Sequence, residues 1–182
     1  SFQDTTYTYW YANRPDLTHA NLNHTGVTNT PNSLGVAKNW VRCKGMYIDY
    51  GTFSSLSEMI PSNPPYTRAE YQSSQAYYHL YIRYNPNLND LSWVLNPGFA
   101  GVYLLYVQHC DSLDYSAFAS IASQLVTLKN NGDINLARIH LEGSLWDDKQ
   151  TDGTYTICSG GSYSPQAQLK KDLWDAGIKM NF

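Results

Sequence analysis

The spacing of apolar residues repeats along this chain, and that repetition constrains the fold more than any other feature. The run Tyr77-x-x-Leu80-x-Ile82-x-x-Asn85-x-x-Leu88 returns as Val102-x-x-Leu105-x-Val107-x-x-Cys110-x-x-Leu113, position for position. A further copy is Leu136-x-x-Ile139-x-Leu141-x-x-Ser144, and an earlier one is Cys43-x-x-Met46-x-Ile48-x-x-Gly51. Ile178-x-Met180 is a fragment near the end, and the copies follow one another at 34, 25, 34 and 39 residues. Within each copy the alternating apolar positions read as a short strand with one buried face. A unit of this size cannot bury that face alone, so successive units are expected to stack on one another.

Over residues 43–182 the pattern resembles the leucine-rich-repeat consensus, Leu-x-x-Leu-x-Leu-x-x-Asn/Cys-x-Leu. Asn85 and Cys110 match its ladder position, whereas Gly51 and Ser144 depart from it. Three of the four intervals exceed the usual ~20–29 residues, so the likeness is to a divergent, irregular repeat. It implies an α/β fold: a short irregular solenoid of parallel strands, each followed by a helix.

Helix signals stand where such units need them. Asp114-Tyr115-Ser116 offers an N-cap, Phe118, Ile121, Ala122, Leu125 and Leu128 follow at helical spacing, and Asn130-Asn131-Gly132 closes the run. Ser164-Pro165 opens a second helix with Leu169, Leu173 and Ala176 inward and Gly177 as its stop. Shorter turns are expected at residues 54–60 and 90–95. Residues 1–42 differ. Thr5–Tyr11 alternates like a strand, and Asn13–Ser33 is aperiodic and rich in Asn, Thr, Pro and His. They read as an N-terminal strand and irregular cap or connector covering the open end of residues 43–182, with a second rigid loop at Pro61–Pro65. At 182 residues the whole is one domain.

If Leu80/Ile82, Leu105/Val107 and Ile139/Leu141 point inward, the intervening residues point outward in two columns. One reads Tyr47, Tyr81, Tyr106, His140, and the other reads Asp49, Arg83, Gln108, Glu142; Lys179 and Asn181 extend them. The eight residues of the two columns are the candidate ligand-binding set. Tyrosine supplies 16 residues against 5 Trp and 5 Phe, while only 15% of the chain is charged. A Tyr-rich, charge-poor face suits recognition, because Tyr gives rigid amphipathic contact at low entropic cost. Sugar rings stack on Tyr faces while carboxylates and amides take the hydroxyls. Tyr beside Tyr on neighbouring strands also stabilises a sheet by about 0.2–1 kcal/mol per pair.

Other chemistries find little support in the sequence. There is no Gly-x-Ser-x-Gly elbow, phosphate loop, dinucleotide fingerprint or His-Glu-x-x-His. Gly160–Ser164 lacks a phosphate-loop lysine and reads as a capping turn. His109-Cys110 puts an imidazole beside a thiol, with Cys110 at the inward ladder position. Glu142 with Asp147 and Asp148 is an acidic loop without a calcium-loop pattern. Cys43, Cys110 and Cys158 form no zinc motif and read as buried thiols. Net charge is −3 with no basic run, so no nucleic-acid footprint is present. No apolar stretch approaches the ~20 residues of a membrane span. Asn23-His24-Thr25 is a glycosylation sequon, and Ser1 rather than Met begins the chain, as in a processed form or a piece of a longer one.

The expectation is a non-catalytic recognition or adhesion domain with no cofactor or metal. Its partner would be a cell-surface protein or glycan. Its setting would be extracellular, on a cell or virion surface, as in a bacterial surface protein or a phage tail-fibre tip. The alternatives are a carbohydrate-active enzyme using Glu142 with Asp147 or Asp148, and an oligomerisation module of a fibrous protein, trimeric at a fibre tip.

Overall fold

Alternation places Leu80 and Ile82, Leu105 and Val107, and Ile139 and Leu141 on one side of their strands. In the computed structural model all six are buried. The structure describes residues 19–21, 45–47, 49–57, 78–142 and 165–181. Among them six strands form one sheet: β1 (His19–Asn21), β2 (Gly45–Tyr47), β3 (Tyr78–Tyr81), β4 (Val102–Tyr106), β5 (Arg138–His140) and β6 (Lys179–Asn181). Their order in the sheet is their order in the chain, and every neighbouring pair is parallel. The protein is therefore mixed α/β with a parallel sheet.

The register joins Met46, Leu80, Leu105, Ile139 and Met180 as direct neighbours. Leu80, Leu105, Ile139 and Met180 form a buried apolar row across four strands. A second row, Ile82, Val107 and Leu141, lies beyond the strand ends, where the ladder continues through Ile82 N–H to Tyr106 O (2.8 Å) and Val107 N–H to His140 O (2.9 Å). Burying both rows is what makes parallel pairing of such short strands favourable, at ~25 cal/mol per Å² of apolar surface.

Three register details differ from the sequence reading. Tyr78, not Tyr77, pairs with Val102, because the register slips between Tyr78 and His79 and leaves Tyr103 as an extra residue, a β-bulge. Met180, not Ile178, pairs with Ile139, so Lys179 neighbours Arg138 and Asn181 neighbours His140. Ile178 instead closes a helix end, where it is buried beside Leu173. Finally, β1 lies within the stretch read as an aperiodic connector, with Ala20 in register with Met46. The candidate N-terminal strand, the sequon, the Pro61–Pro65 loop, Cys43, Cys158 and residues 143–164 lie outside the described residues.

Among the described residues, helices follow two of the strands. After β4 come α1 (Tyr115–Ala119) and α2 (Ala122–Asn130), and after the described part of β5 comes α3 (Pro165–Asp175). Asp114 caps α1 by accepting from Ala117 N–H (3.2 Å). Phe118, Ile121 and Leu125 supply the buried stripe. Both α2 and α3 end in the same way, at a glycine of positive φ, Gly132 (72°) and Gly177 (90°). Gly132 and Asp133 N–H donate to Lys129 and Leu128 O, and Gly177 and Ile178 N–H donate to Trp174 and Leu173 O. These are paired 5→2 and 6→1 bonds that close the last carbonyls. Between β3 and β4 the chain makes two 3-10 turns, Ser92–Leu95 and Pro97–Phe99; the first falls where a short turn is expected at 90–95, and together they stand in place of the helix that a unit of strand followed by helix implies. No helix among the described residues is long and apolar enough to cross a membrane.

Candidate functional site

Side chains at alternate positions of a strand face away from the apolar rows. Tyr81, Tyr106 and His140 are half-buried and stand in register on β3, β4 and β5. Their rings stack. Tyr81 and Tyr106 lie 4.3 Å apart at 11°, and Tyr106 and His140 lie 4.3 Å apart at 4°. Parallel strands spaced ~4.8 Å impose this distance, which is close to ring stacking contact. Tyr47, described by its backbone, stands in register with Tyr81, and Asn181 with His140. Burial pushes the His140 imidazole down to about 4, with Arg138 adding to the effect, so it stacks as a neutral ring at neutral pH.

The second expected column is partly corrected. Asp49 is buried, at 1% exposure, and does not face solvent. The strand ends before it, and the turn carries its carboxylate inward onto the next repeat. There Oδ1 accepts from Arg83 N–H (2.7 Å), and Oδ2 accepts from Arg83 Nη2 (2.7 Å) and Nε (3.1 Å). This bidentate pair raises the Arg83 guanidinium further above its ordinary range, chiefly through the hydrogen bond to Asp49. Arg83 also lies over the Tyr81 ring, 5.2 Å from its centre. Gln108 and Glu142 are half-buried, and their carbonyls accept from Tyr84 and His109 N–H.

A second aromatic row, absent from the sequence reading, runs beside this pair. Tyr50 and Tyr84 stack at 4.6 Å and 2°, and Tyr84 and His109 at 4.7 Å and 5°. All three residues have positive φ, at 65°, 59° and 54°. Left-handed backbone costs a residue with a Cβ about 1–2 kcal/mol, so three such residues in successive repeats mark a turn held by its surroundings. Each immediately precedes a ladder position: Tyr50 before Gly51, Tyr84 before Asn85, His109 before Cys110. That aromatic-then-ladder coincidence was the available signal. Tyr50 and Tyr84 are the exposed large hydrophobic residues among those described.

The ladder position itself ties the turns together. Asn85 Nδ2 donates to Ile82 O (2.9 Å) and Arg83 O (3.0 Å), and Cys110 Sγ donates back to Ile82 O at 3.2 Å. Gly51 departs from the consensus for a steric reason: a Cβ there would come within 2.5 Å of Asn85 Oδ1 and 2.6 Å of the Phe53 ring. Burial pushes the Cys110 thiol up to about 12, and His109 is turned outward onto Tyr84. His109 and Cys110 are therefore not a thiolate–imidazole pair. Asp114 is engaged as a helix cap, and Asp147, Asp148 and Gly160–Ser164 lie outside the described residues. Among the described residues no group of three or more His, Cys, Asp or Glu could hold a metal ion.

Two rows of stacked rings thus come near Arg83, whose charge interacts with both Tyr81 and Tyr84 and whose partner Asp49 is buried. Because the rings cover one another's faces, each row presents ring edges and phenolic hydroxyls to an incoming molecule, not flat platforms. A separate concavity of about 710 Å³ lies between α2 and α3, lined by residues such as Val126, Leu169 and Asp172, away from these rows. Compared with known protein families, curated proteins and solved structures, the chain matches none of them.

Proposed function

We propose that the chain is a non-catalytic recognition domain that binds a cell-surface protein or glycan through its aromatic face. We read its architecture as a short, irregular leucine-rich-repeat-like solenoid displayed on a cell or virion surface, as at a phage tail-fibre tip or on a bacterial surface protein. The observation that carries this reading is the pair of stacked rows, Tyr81–Tyr106–His140 and Tyr50–Tyr84–His109, which meet near Arg83. Rings held at 4.3–4.7 Å have already lost their rotamer freedom before a partner arrives. Such preorganisation lowers the entropic cost of binding, and extended sheet faces are the usual binding surfaces of repeat proteins. The edge-on rings favour hydrogen bonding through phenol hydroxyls over stacking of sugars on open ring faces.

Removing hydroxyls while keeping rings tests this directly. The triple variant Tyr81→Phe, Tyr84→Phe, Tyr106→Phe should retain the stacks and unfold within a few degrees of the parent. Its attachment to cells or to a glycan array should fall by at least about tenfold, the loss expected for several neutral hydrogen bonds. Unchanged attachment would remove the aromatic face as the binding site.

A further inference from the structure

The register of β6 against β5 brings two cations to one place. Arg138 and Lys179 are direct neighbours on adjacent parallel strands. They line a groove of about 460 Å³ together with Tyr103, Leu104, Tyr106 and His140. That volume falls within the ~300–1,000 Å³ of small-ligand sites. No carboxylate is among its lining residues, in a chain whose net charge is −3. Like charges set opposite each other on neighbouring strands destabilise a sheet. Lys179 is held in place by the Trp174 ring, 4.7 Å from its Nζ, and α3 places that ring beside β6. The fold thus keeps two cations together where a bound anion would relieve their repulsion.

The surroundings favour a sugar over a peptide. The backbone of β4 and β5 beneath the groove is already paired on both sides, so an extended peptide finds no free edge on these two strands and could join only the outer edge of β6. A sugar needs only side-chain partners, and here they are phenol hydroxyls, a neutral imidazole and two cations around half-buried Leu104. We propose that this groove binds an acidic sugar, its carboxylate or sulfate taken by Arg138 and Lys179 and its hydroxyls by Tyr103, Tyr106 and His140. This rests on the recognition reading above and names the ligand class for one part of the same face.

The test is titration of the whole chain with sialyllactose, oligogalacturonate and a heparin-derived oligosaccharide, against lactose and a poly-glutamate peptide. The acidic sugars should bind at least about tenfold more tightly than lactose, and more weakly as salt is raised. Arg138→Gln and Lys179→Gln should each cost about tenfold for the acidic sugars, while Arg138→Lys retains most of the affinity. Lys179 is exposed, so its variant keeps the fold available if Arg138→Gln unfolds. Lactose binding as tightly, acidic sugars indifferent to both glutamine variants, or poly-glutamate binding in preference to every sugar would overturn the proposal. If cell attachment survives Arg138→Gln and Lys179→Gln but is lost in the tyrosine-to-phenylalanine triple variant, the groove assignment falls and the recognition reading stands. If neither set of changes alters attachment, the recognition reading falls.

Discussion

Tyr106 occupies the middle of a stack, and truncating it tests whether the row is a cooperative element or a set of neighbours. Its ring has Tyr81 on one face and His140 on the other, each at 4.3 Å. Aromatic pairs contribute about 0.5–1.5 kcal/mol each beyond area burial. A half-buried Tyr removes about 100 Å² from water, or about 2.5 kcal/mol. Tyr106→Ala should therefore cost roughly 3.5–5.5 kcal/mol, a large share of the ~5–15 kcal/mol typical of a domain. Urea unfolding at constant slope is the assay. A double-mutant cycle with Tyr81→Ala isolates the stacking itself and should return a coupling of about 0.5–1.5 kcal/mol. A second readout follows from the same geometry. Uncovering one face of His140 reduces its burial, so its imidazole should titrate well above about 4 in Tyr106→Ala. Additive energies to within ~0.3 kcal/mol, together with an unmoved imidazole, would refute the stacked-row account.

Further consequences concern pH, charge and space. In the folded chain His140 is depressed to about 4 from 6.5, so the unfolded chain binds the extra proton between those values. Its contribution is complete above pH 6.5 and is lost as pH falls toward 4; the full shift would be worth about 3 kcal/mol, roughly halved for a half-exposed ring. His140→Phe should keep the stack and flatten that part of the stability profile, and an unchanged slope would assign it to other groups. Arg83→Met leaves the Asp49 carboxylate buried without its bidentate partner and should cost about 3–5 kcal/mol in denaturant unfolding. Asp49→Asn should cost less, since a neutral amide is easier to bury; the reverse ranking would contradict the buried-charge account. Gly51→Ala inserts a methyl within 2.5 Å of Asn85 Oδ1 and should lower stability by about 1–3 kcal/mol, with amide shifts centred on Asn85 in NMR spectra.

Sequence spacing carried the apolar rows because burial on one face demands strict alternation. Leu80, Ile82, Leu105, Val107, Ile139 and Leu141 were legible for that reason, as were the Asp114 cap and the Gly132 and Gly177 stops. Features governed by local backbone geometry were not. A bulge adds a residue without changing the apolar count, so Tyr103 left no trace in the Leu80–Leu105 spacing. Strand β1 has Ala20 at the position that Met46 and Leu80 fill elsewhere, and one small residue among Asn, Thr and His gives no periodic signal. Alternation also misplaced Asp49, since the rule stops where the strand turns. The same turn hid the Tyr50–Tyr84–His109 row, because positive φ at Tyr is not a choice that residue type announces. Lys170, buried at 1% beside Leu169, is a further position where residue type pointed to solvent and packing decided otherwise.

Strand order that copies chain order has a mechanical consequence. Among the described strands β1 and β6 are the outer two, so a load applied through the ends of the described chain meets the sheet at opposite edges. Tension then acts on one edge strand at a time, loading its few hydrogen bonds in sequence rather than in parallel. Each described strand pairs only with its neighbours in the sheet, so loss of one strand need not release the next. A pulled molecule should lengthen in small steps at modest force, and the row Leu80–Leu105–Ile139, flanked by paired strands on both sides, should be the last to part.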